Sequence, residues 1–239
     1  MIKIVPAAWP LSGLRVLTTR SAGGVSTGPY ASLNLASHVG DRIEDVFANR
    51  AYLARQWNLP SDPRWLNQVH GSRVVDAAAV GGDPPTADGS FTVAPQVVCA
   101  VLTADCLPIV LADRRSRCVA TLHGGWRGLA AGIIEAGVNA LPVPASALVA
   151  WLGPAIGPAH YEVGEEVRAA FGAAAACAFR SLGRGHYQAD LYALARLRLQ
   201  AAGVTEIYGG GLCTLTDPLL FSYRRSPVCG RMATLAWLL

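Results

Sequence analysis

The chain reads as an α/β (α+β) fold: a layered sandwich of mixed β-sheet with flanking helices, in one domain spanning residues 1–239. Three observations predict it. Short apolar runs rich in β-branched residues recur between turn signals, as buried strands do. Helical periodicity appears among them, most evidently over 126–141 and 190–202. No internal repeat or long linker divides the 239 residues, a length that buries a sizeable core.

Taken in order, residues 14–20 form an expected strand that enters a Gly-rich loop over 22–29. Asp41 is expected to begin a helix, with Glu44 three residues on as in a capping box and Ile43, Val46, Phe47, Leu53 and Trp57 at helical spacing. The Pro/Gly stretch 81–85 is a surface loop. Val97–Leu102 is a buried strand, which Ile109–Leu111 resumes after a turn. Residues 118–122 form another strand that delivers His123 at its end, and 126–141 follow as a helix. A strand at 148–152 enters a Gly/Pro loop over 153–158. Helices are expected near 162–172 and 190–202, the second ended by Gly203, and strands near 204–208 and 219–223.

Composition narrows the class. With 52% hydrophobic and 15% charged residues, the chain is not disordered. Lys3 is its only lysine, and a net charge of +4 without a dense basic run favours small anions over nucleic acid. Residues 1–9 lack the pattern of a secretory leader. The apolar stretch 93–112 is interrupted by Asp105 and two prolines, as a membrane span would not be. The six cysteines show no CxxC spacing, so reduced thiols in a cytoplasmic protein are expected. A monomer is expected too.

Three segments each carry one soft metal ligand: Asn67-Gln68-Val69-His70-Gly71, Thr103-Ala104-Asp105-Cys106-Leu107-Pro108 and His123-Gly124-Gly125-Trp126-Arg127-Gly128. Two imidazoles and a thiolate bind a zinc ion and leave a fourth position open, as catalytic zinc sites do. Without metal, the same trio is a thiol nucleophile beside two bases. Taken alone, Cys106 is equally well read as a buried small hydrophobe. Asp105, a carboxylate at a strand end, either orients an imidazole or caps a turn. His38, His160 and His186 lie in less distinctive contexts, on the surface or behind the site.

Cationic groups supply a second theme. Gly124 and Gly125 enter a helix whose first turn carries Arg127, a place for a phosphate group; the alternative is a tight turn with Arg127 in a salt bridge. Ser222-Tyr223-Arg224-Arg225, with Arg231 beyond, is either a solvated cluster or, through Arg224, a cleft wall. Arg20, ahead of Gly23-Gly24, is a third candidate with the same ambiguity.

The segments TTRSAGGVS, SLNL, NQVHG, TADCLPI, HGGWRG, IGPAHYEVG and FSYRR…GR, in this order across nearly the whole chain, resemble a bacterial family. It bears a multicopper-oxidase "laccase domain" name, is also called the peptidoglycan editing factor family, and has members described as purine nucleoside phosphorylases. The resemblance implies zinc or copper at His70, Cys106 and His123. It also implies a sandwich similar to the deamidase domain of cytotoxic necrotizing factor, phosphorolysis of adenosine, inosine and methylthioadenosine, and adenosine deamination. The chain departs from the family at Gly124, where alanine is usual, and over Ala87–Thr92, where Phe91 is expected to reshape a pocket wall. Five histidines are too few for a blue copper plus a trinuclear cluster, so one mononuclear site is expected instead of laccase chemistry. Two other classes remain open: a cysteine hydrolase or amidase acting on peptidoglycan precursors, and a non-catalytic metal- or ligand-binding protein.

Overall fold

Strands whose two faces are both apolar become the inner layers of the molecule. A computed structural model describes residues 1–239. In chain order the strands are β1 (Ile4–Pro6), β2 (Leu14–Thr19), β3 (Val74–Asp76), β4 (Gly89–Thr92), β5 (Cys99–Thr103), β6 (Leu107–Asp113) and β7 (Val119–Gly124). They continue with β8 (Leu148–Leu152), β9 (Glu162–Gly164), β10 (Phe179–Gly183), β11 (His186–Ala189), β12 (Glu206–Gly209) and β13 (Met232–Leu238). The helices are α1 (Ile43–Gln56), α2 (Trp126–Ala130), α3 (Ile133–Ala140), α4 (Glu165–Ala169) and α5 (Leu191–Ala201).

Two sheets stack face to face. One has the order β1-β2-β13-β5, the other β12-β8-β6-β7-β4-β3, and a small third sheet, β10-β11-β9, stands apart. The six-stranded sheet is mixed: β6 and β7 pair antiparallel, whereas β12 joins β8 and β3 joins β4 in parallel. Side chains alternate sides along a strand. Thus Leu107, Ile109 and Leu111 of β6 pack with Ile133 and Ile134 of α3 and Leu194 of α5, while Val110 and Ala112 meet Met232, Ala236 and Leu238 of the other sheet. On that sheet's far side, Ala233, Leu235 and Leu17 bury Leu53 of α1. The layers therefore run helix, sheet, sheet, helix.

Several local expectations change. Helix α1 starts at Ile43 after an N-cap, Arg42, that makes no side-chain cap bond. The Asp41 carboxylate is engaged elsewhere, accepting from Ser26 Oγ (2.7 Å) and Asn34 Nδ2 (2.9 Å), so no capping box forms. The helix expected over 126–141 is two helices, separated at Gly132, whose φ of +92° breaks the helical path. Only 165–169 of the 162–172 helix forms, because Glu162–Gly164 pairs as β9. Residues 219–223 are not a strand. There the Arg225 guanidinium collects the carbonyls of Thr214, Leu215, Asp217 and Leu220, which holds the chain in turns. Asp190 caps α5 by accepting from Ala193 N (3.0 Å), a contact typically worth about 1 kcal/mol.

One change positions the site. Residues 97–103 and 107–113 do not resume one strand: β5 belongs to the four-stranded sheet and β6 to the six-stranded one. The chain crosses between sheets at Ala104-Asp105-Cys106, at one end of the sandwich. No helix is long and apolar enough to cross a membrane.

Candidate active site and metal centre

Cys106 sits at this crossing, immediately before β6. Its backbone predecessor Asp105 has a φ of +96°, a conformation that costs a non-glycine residue on the order of 1–3 kcal/mol. Three contacts hold it there. The Asp105 carboxylate accepts from Thr214 Oγ1 (2.5 Å) and from Arg224 N (2.7 Å), and its carbonyl accepts from Ile156 N (2.9 Å). Asp105 thus ties three loops together, with both carboxylate oxygens engaged, and it orients no imidazole.

His123 lies inside β7, opposite Pro108 of β6, and is only 4% exposed. It is part of the strand, not the residue that follows it. His70 occupies a loop before β3 with a φ of +60°, and its ring centroid lies 4.7 Å from that of His123. The loop is latched on two sides. Gln68 Nε2 donates to Leu102 O (2.9 Å) while Gln68 Oε1 accepts from Leu102 N (2.7 Å), so a side-chain amide imitates a strand partner. On the other side the Asp88 carboxylate accepts from the backbone N–H groups of Val69 (3.1 Å), His70 (2.8 Å) and Gly71 (2.7 Å). The same carboxylate bonds His123 Nδ1 at 2.8 Å. Asp88 is fully buried and was absent from the sequence-derived candidates. Its only sequence signal is an acidic residue beside Gly89 in an otherwise small, uncharged stretch.

One ligand atom each from His70, Cys106 and His123 lies within 4.8 Å of the other two. A tetrahedral zinc with ligand bonds of about 2.0–2.3 Å would draw the three atoms closer together than that limit. Gly125 leaves the room: a Cβ there would stand 2.8 Å from His70 Nδ1 and 3.1 Å from Cys106 Sγ. Burial by itself would raise the Cys106 thiol, but the His123 and His70 imidazoles outweigh it and bring the pKa down to about 6. His123 moves the other way: burial would lower it, and the Cys106 sulfur and Asp88 carboxylate raise it to about 9. Asp88 stays below the usual carboxylate range because the His123 ring and the Gly71 and Val69 N–H groups overcome its burial. A sulfur and two imidazole rings thus face one space, and that donor set fits a zinc-like ion.

The trio opens into a cavity of about 360 Å³. Trp126, Tyr161 and Tyr223 supply aromatic walls, and Arg127, Arg224 and Arg231 supply cations. The Arg127 guanidinium lies over the Trp126 ring (4.4 Å) and has no carboxylate partner, contrary to the salt-bridge alternative. Arg224 donates to Glu162 O (3.1 and 3.2 Å) and Arg231 to Cys229 O (2.8 Å), which fixes both side chains at the rim. Burial keeps the Tyr161 phenol protonated well above its ordinary range.

Other expected positions fall outside this cavity. Arg20 forms an ion pair with Asp217 at 2.8 Å and does not reach the site. Gly124 is buried in β7, where a Cβ would stand 2.8 Å from Leu107 O, and it does not line the cavity. Gly125 N-caps the five-residue helix α2 and serves the trio by its lack of a side chain. Phe91 packs against the helix-side core of the six-stranded sheet and reshapes no wall. His38 lines the cavity, whereas His186 pairs with Glu162 and His160 is exposed.

Residues 15–239 match the family described as multi-copper polyphenol oxidoreductase laccase. A purine nucleoside phosphorylase of Pseudomonas aeruginosa is 49% identical over 239 residues, covering 96% of both chains. The purine nucleoside phosphorylase YfiH of Escherichia coli is 46% identical over the full length of both. Among solved structures, a Neisseria meningitidis protein superimposes with a TM-score of 0.95 at 47% identity, covering 98% of each chain. YlmD from Geobacillus stearothermophilus does so at 0.89 and 32% identity, covering 97% of this chain and 94% of that one. With matches of this extent in sequence and in fold, the chain belongs to this laccase-named family, whose curated relatives carry the name purine nucleoside phosphorylase.

Proposed function

We propose that the chain is a purine nucleoside phosphorylase that acts on adenosine, inosine and methylthioadenosine. One observation carries the reading: a single cavity joins the His-Cys-His group, a guanidinium without a carboxylate partner and three aromatic rings. Phosphorolysis breaks the bond between C1′ of the sugar and a purine nitrogen. A phosphate oxygen bonds C1′, and the base leaves with the electron pair and takes up a proton.

Each part has a place in this chain. Arg127 holds the phosphate through its free N–H fork, and Arg224 and Arg231 keep the rim cationic. Flat purines fit between aromatic faces such as those of Trp126, Tyr161 and Tyr223. The neutral Tyr161 hydroxyl is a donor for a ring nitrogen of the departing base. Holding both reactants in one geometry removes much of the entropic barrier. His70, Cys106 and His123 hold the metal, zinc in this reading with copper as the alternative. When bound, such an ion would supply Lewis-acid chemistry beside the cavity. Adenosine deamination is included as a second activity of the same cavity.

The test is product analysis with inosine, with and without phosphate. Hypoxanthine formed only with phosphate supports the reading; no base in either tube overturns it. Adenosine in place of inosine separates the two activities, since phosphorolysis releases adenine and deamination releases ammonia.

A second reading has its own observation. Cys106, His123 and Asp88 form a thiolate–imidazole–carboxylate series, the arrangement of a cysteine nucleophile with an oriented base. A hydrolase or amidase acting on peptidoglycan precursors would form an acyl-enzyme on Cys106 and turn over without phosphate.

A further inference from the structure

We infer that Asp88 is the positioning residue of this site: one buried carboxylate sets the tautomer of His123 and the loop conformation of His70. The inference rests on the reading that these two histidines and Cys106 hold a metal ion. Asp88 Oδ1 accepts from His70 N and from His123 Nδ1, both at 2.8 Å. Its Oδ2 accepts from Gly71 N (2.7 Å) and Val69 N (3.1 Å). Two oxygens thus face four donors, the full capacity of an ionised carboxylate. No water reaches Asp88 to substitute for any of them.

Each bond has a consequence at the metal. With its Nδ1 proton directed to Asp88, His123 turns Nε2 toward Cys106, and that nitrogen is the one free to ligate once a metal displaces its proton. The three N–H bonds hold residues 69–71 in the turn that gives His70 its φ of +60°, a conformation uncommon outside glycine. Asp88 also fixes His123 through its own carbonyl, which accepts from His123 N at 2.7 Å. The residue immediately precedes β4, so its carboxylate ties the β3–β4 edge of the sheet to both histidines.

An amide cannot replace this carboxylate. If the Asp88→Asn side chain placed its NH2 at the Oδ1 position, it would donate to His123 Nδ1 and drive the ring proton to Nε2, closing the ligand. If the NH2 took the Oδ2 position, it would face the N–H groups of Val69 and Gly71 and release the His70 loop. Either orientation damages one of the two histidines.

The experiment measures zinc affinity by competition with a chromophoric chelator, together with the visible spectrum of the cobalt-loaded protein. Asp88→Asn is expected to weaken zinc binding by ~10–100-fold, the usual effect of losing a ligand-orienting partner, and to alter the cobalt bands. Asp113→Asn removes another buried carboxylate far from the site and is expected to leave both readouts unchanged. Equal zinc affinity in wild type and Asp88→Asn overturns the inference alone. A wild type that binds no zinc overturns the metal reading on which it stands. If Asp88→Asn does not fold, nitrogen NMR of zinc-loaded wild type decides: a proton on Nδ1 of His123 is expected, and a proton on Nε2 refutes the assignment.

Discussion

On one side of the cavity, His123 stands in the middle of a six-stranded sheet, 4% exposed and paired through β7 to strands on both flanks. On the other, Tyr223 is 53% exposed and stands with Arg224 on a stretch of turns that reaches the rest of the protein through side-chain bonds. The first side cannot shift without breaking a ladder of backbone hydrogen bonds. The second can change residues with little disturbance to the core. The contrast sets one fixed member of the trio, His123, against a cavity wall that can vary.

The contrast is testable by substitution. Cys106→Ala removes the sulfur from the sheet side. It is expected to abolish zinc binding and lower nucleoside turnover by more than the ~10–100-fold typical of losing a supporting group; turnover within about twofold of wild type would locate the chemistry elsewhere. Gly125→Ala adds one methyl where His70 Nδ1 and Cys106 Sγ lie 2.8 and 3.1 Å away. A loss of zinc affinity of roughly tenfold or more with an unchanged circular dichroism spectrum is expected, and titration of the folded variant with zinc measures it.

Arg127→Ala probes the cationic wall. Charge-assisted bonds of about 1.5–3 kcal/mol predict a KM for phosphate raised roughly 10–100-fold. Because the guanidinium has no carboxylate partner, the melting temperature is expected to stay close to that of wild type. A KM that does not move would place the phosphate on another arginine.

The smallest effect is expected at the end of β6 remote from Cys106. There a hydrogen bond from Arg117 (2.5 Å) holds the Asp113 carboxyl below its ordinary range. A depressed folded pKa stabilises the protein above the unfolded value near ~3.9, and that contribution disappears as pH falls through the folded pKa. Arg117 is 55% exposed, so water and salt screen the pair and its contribution is small. Acid unfolding of Asp113→Asn should lack this step, and zinc affinity should not change. A change in zinc affinity would mean that β6 couples its two ends.

The candidate trio was legible because each ligand is flagged by its neighbours: His70 and His123 precede glycines, and Cys106 follows a polar turn between apolar runs. The strands around it were legible from β-branched apolar runs. Asp88 was not, because its burial depends on β4 lying antiparallel to β7, a pairing between distant segments that no local pattern encodes. Asp105 attracted the role that Asp88 holds, being adjacent to Cys106 in sequence while its carboxylate turns to Thr214 and Arg224. Arg20 misled for a similar reason, since its partner Asp217 is 197 positions away. The split of the 126–141 helix was signalled only by Gly132, a residue that many continuous helices tolerate.

The three ligand atoms come from positions 70, 106 and 123 and are brought together only in the folded chain. An unfolded polypeptide offers no comparable grip on a cation. An ion held there would therefore be thermodynamically linked to foldedness, and heat resistance is expected to climb with the logarithm of free ion concentration once that exceeds the dissociation constant. Metal depletion would then make the folded chain less durable and more readily lost to proteolysis.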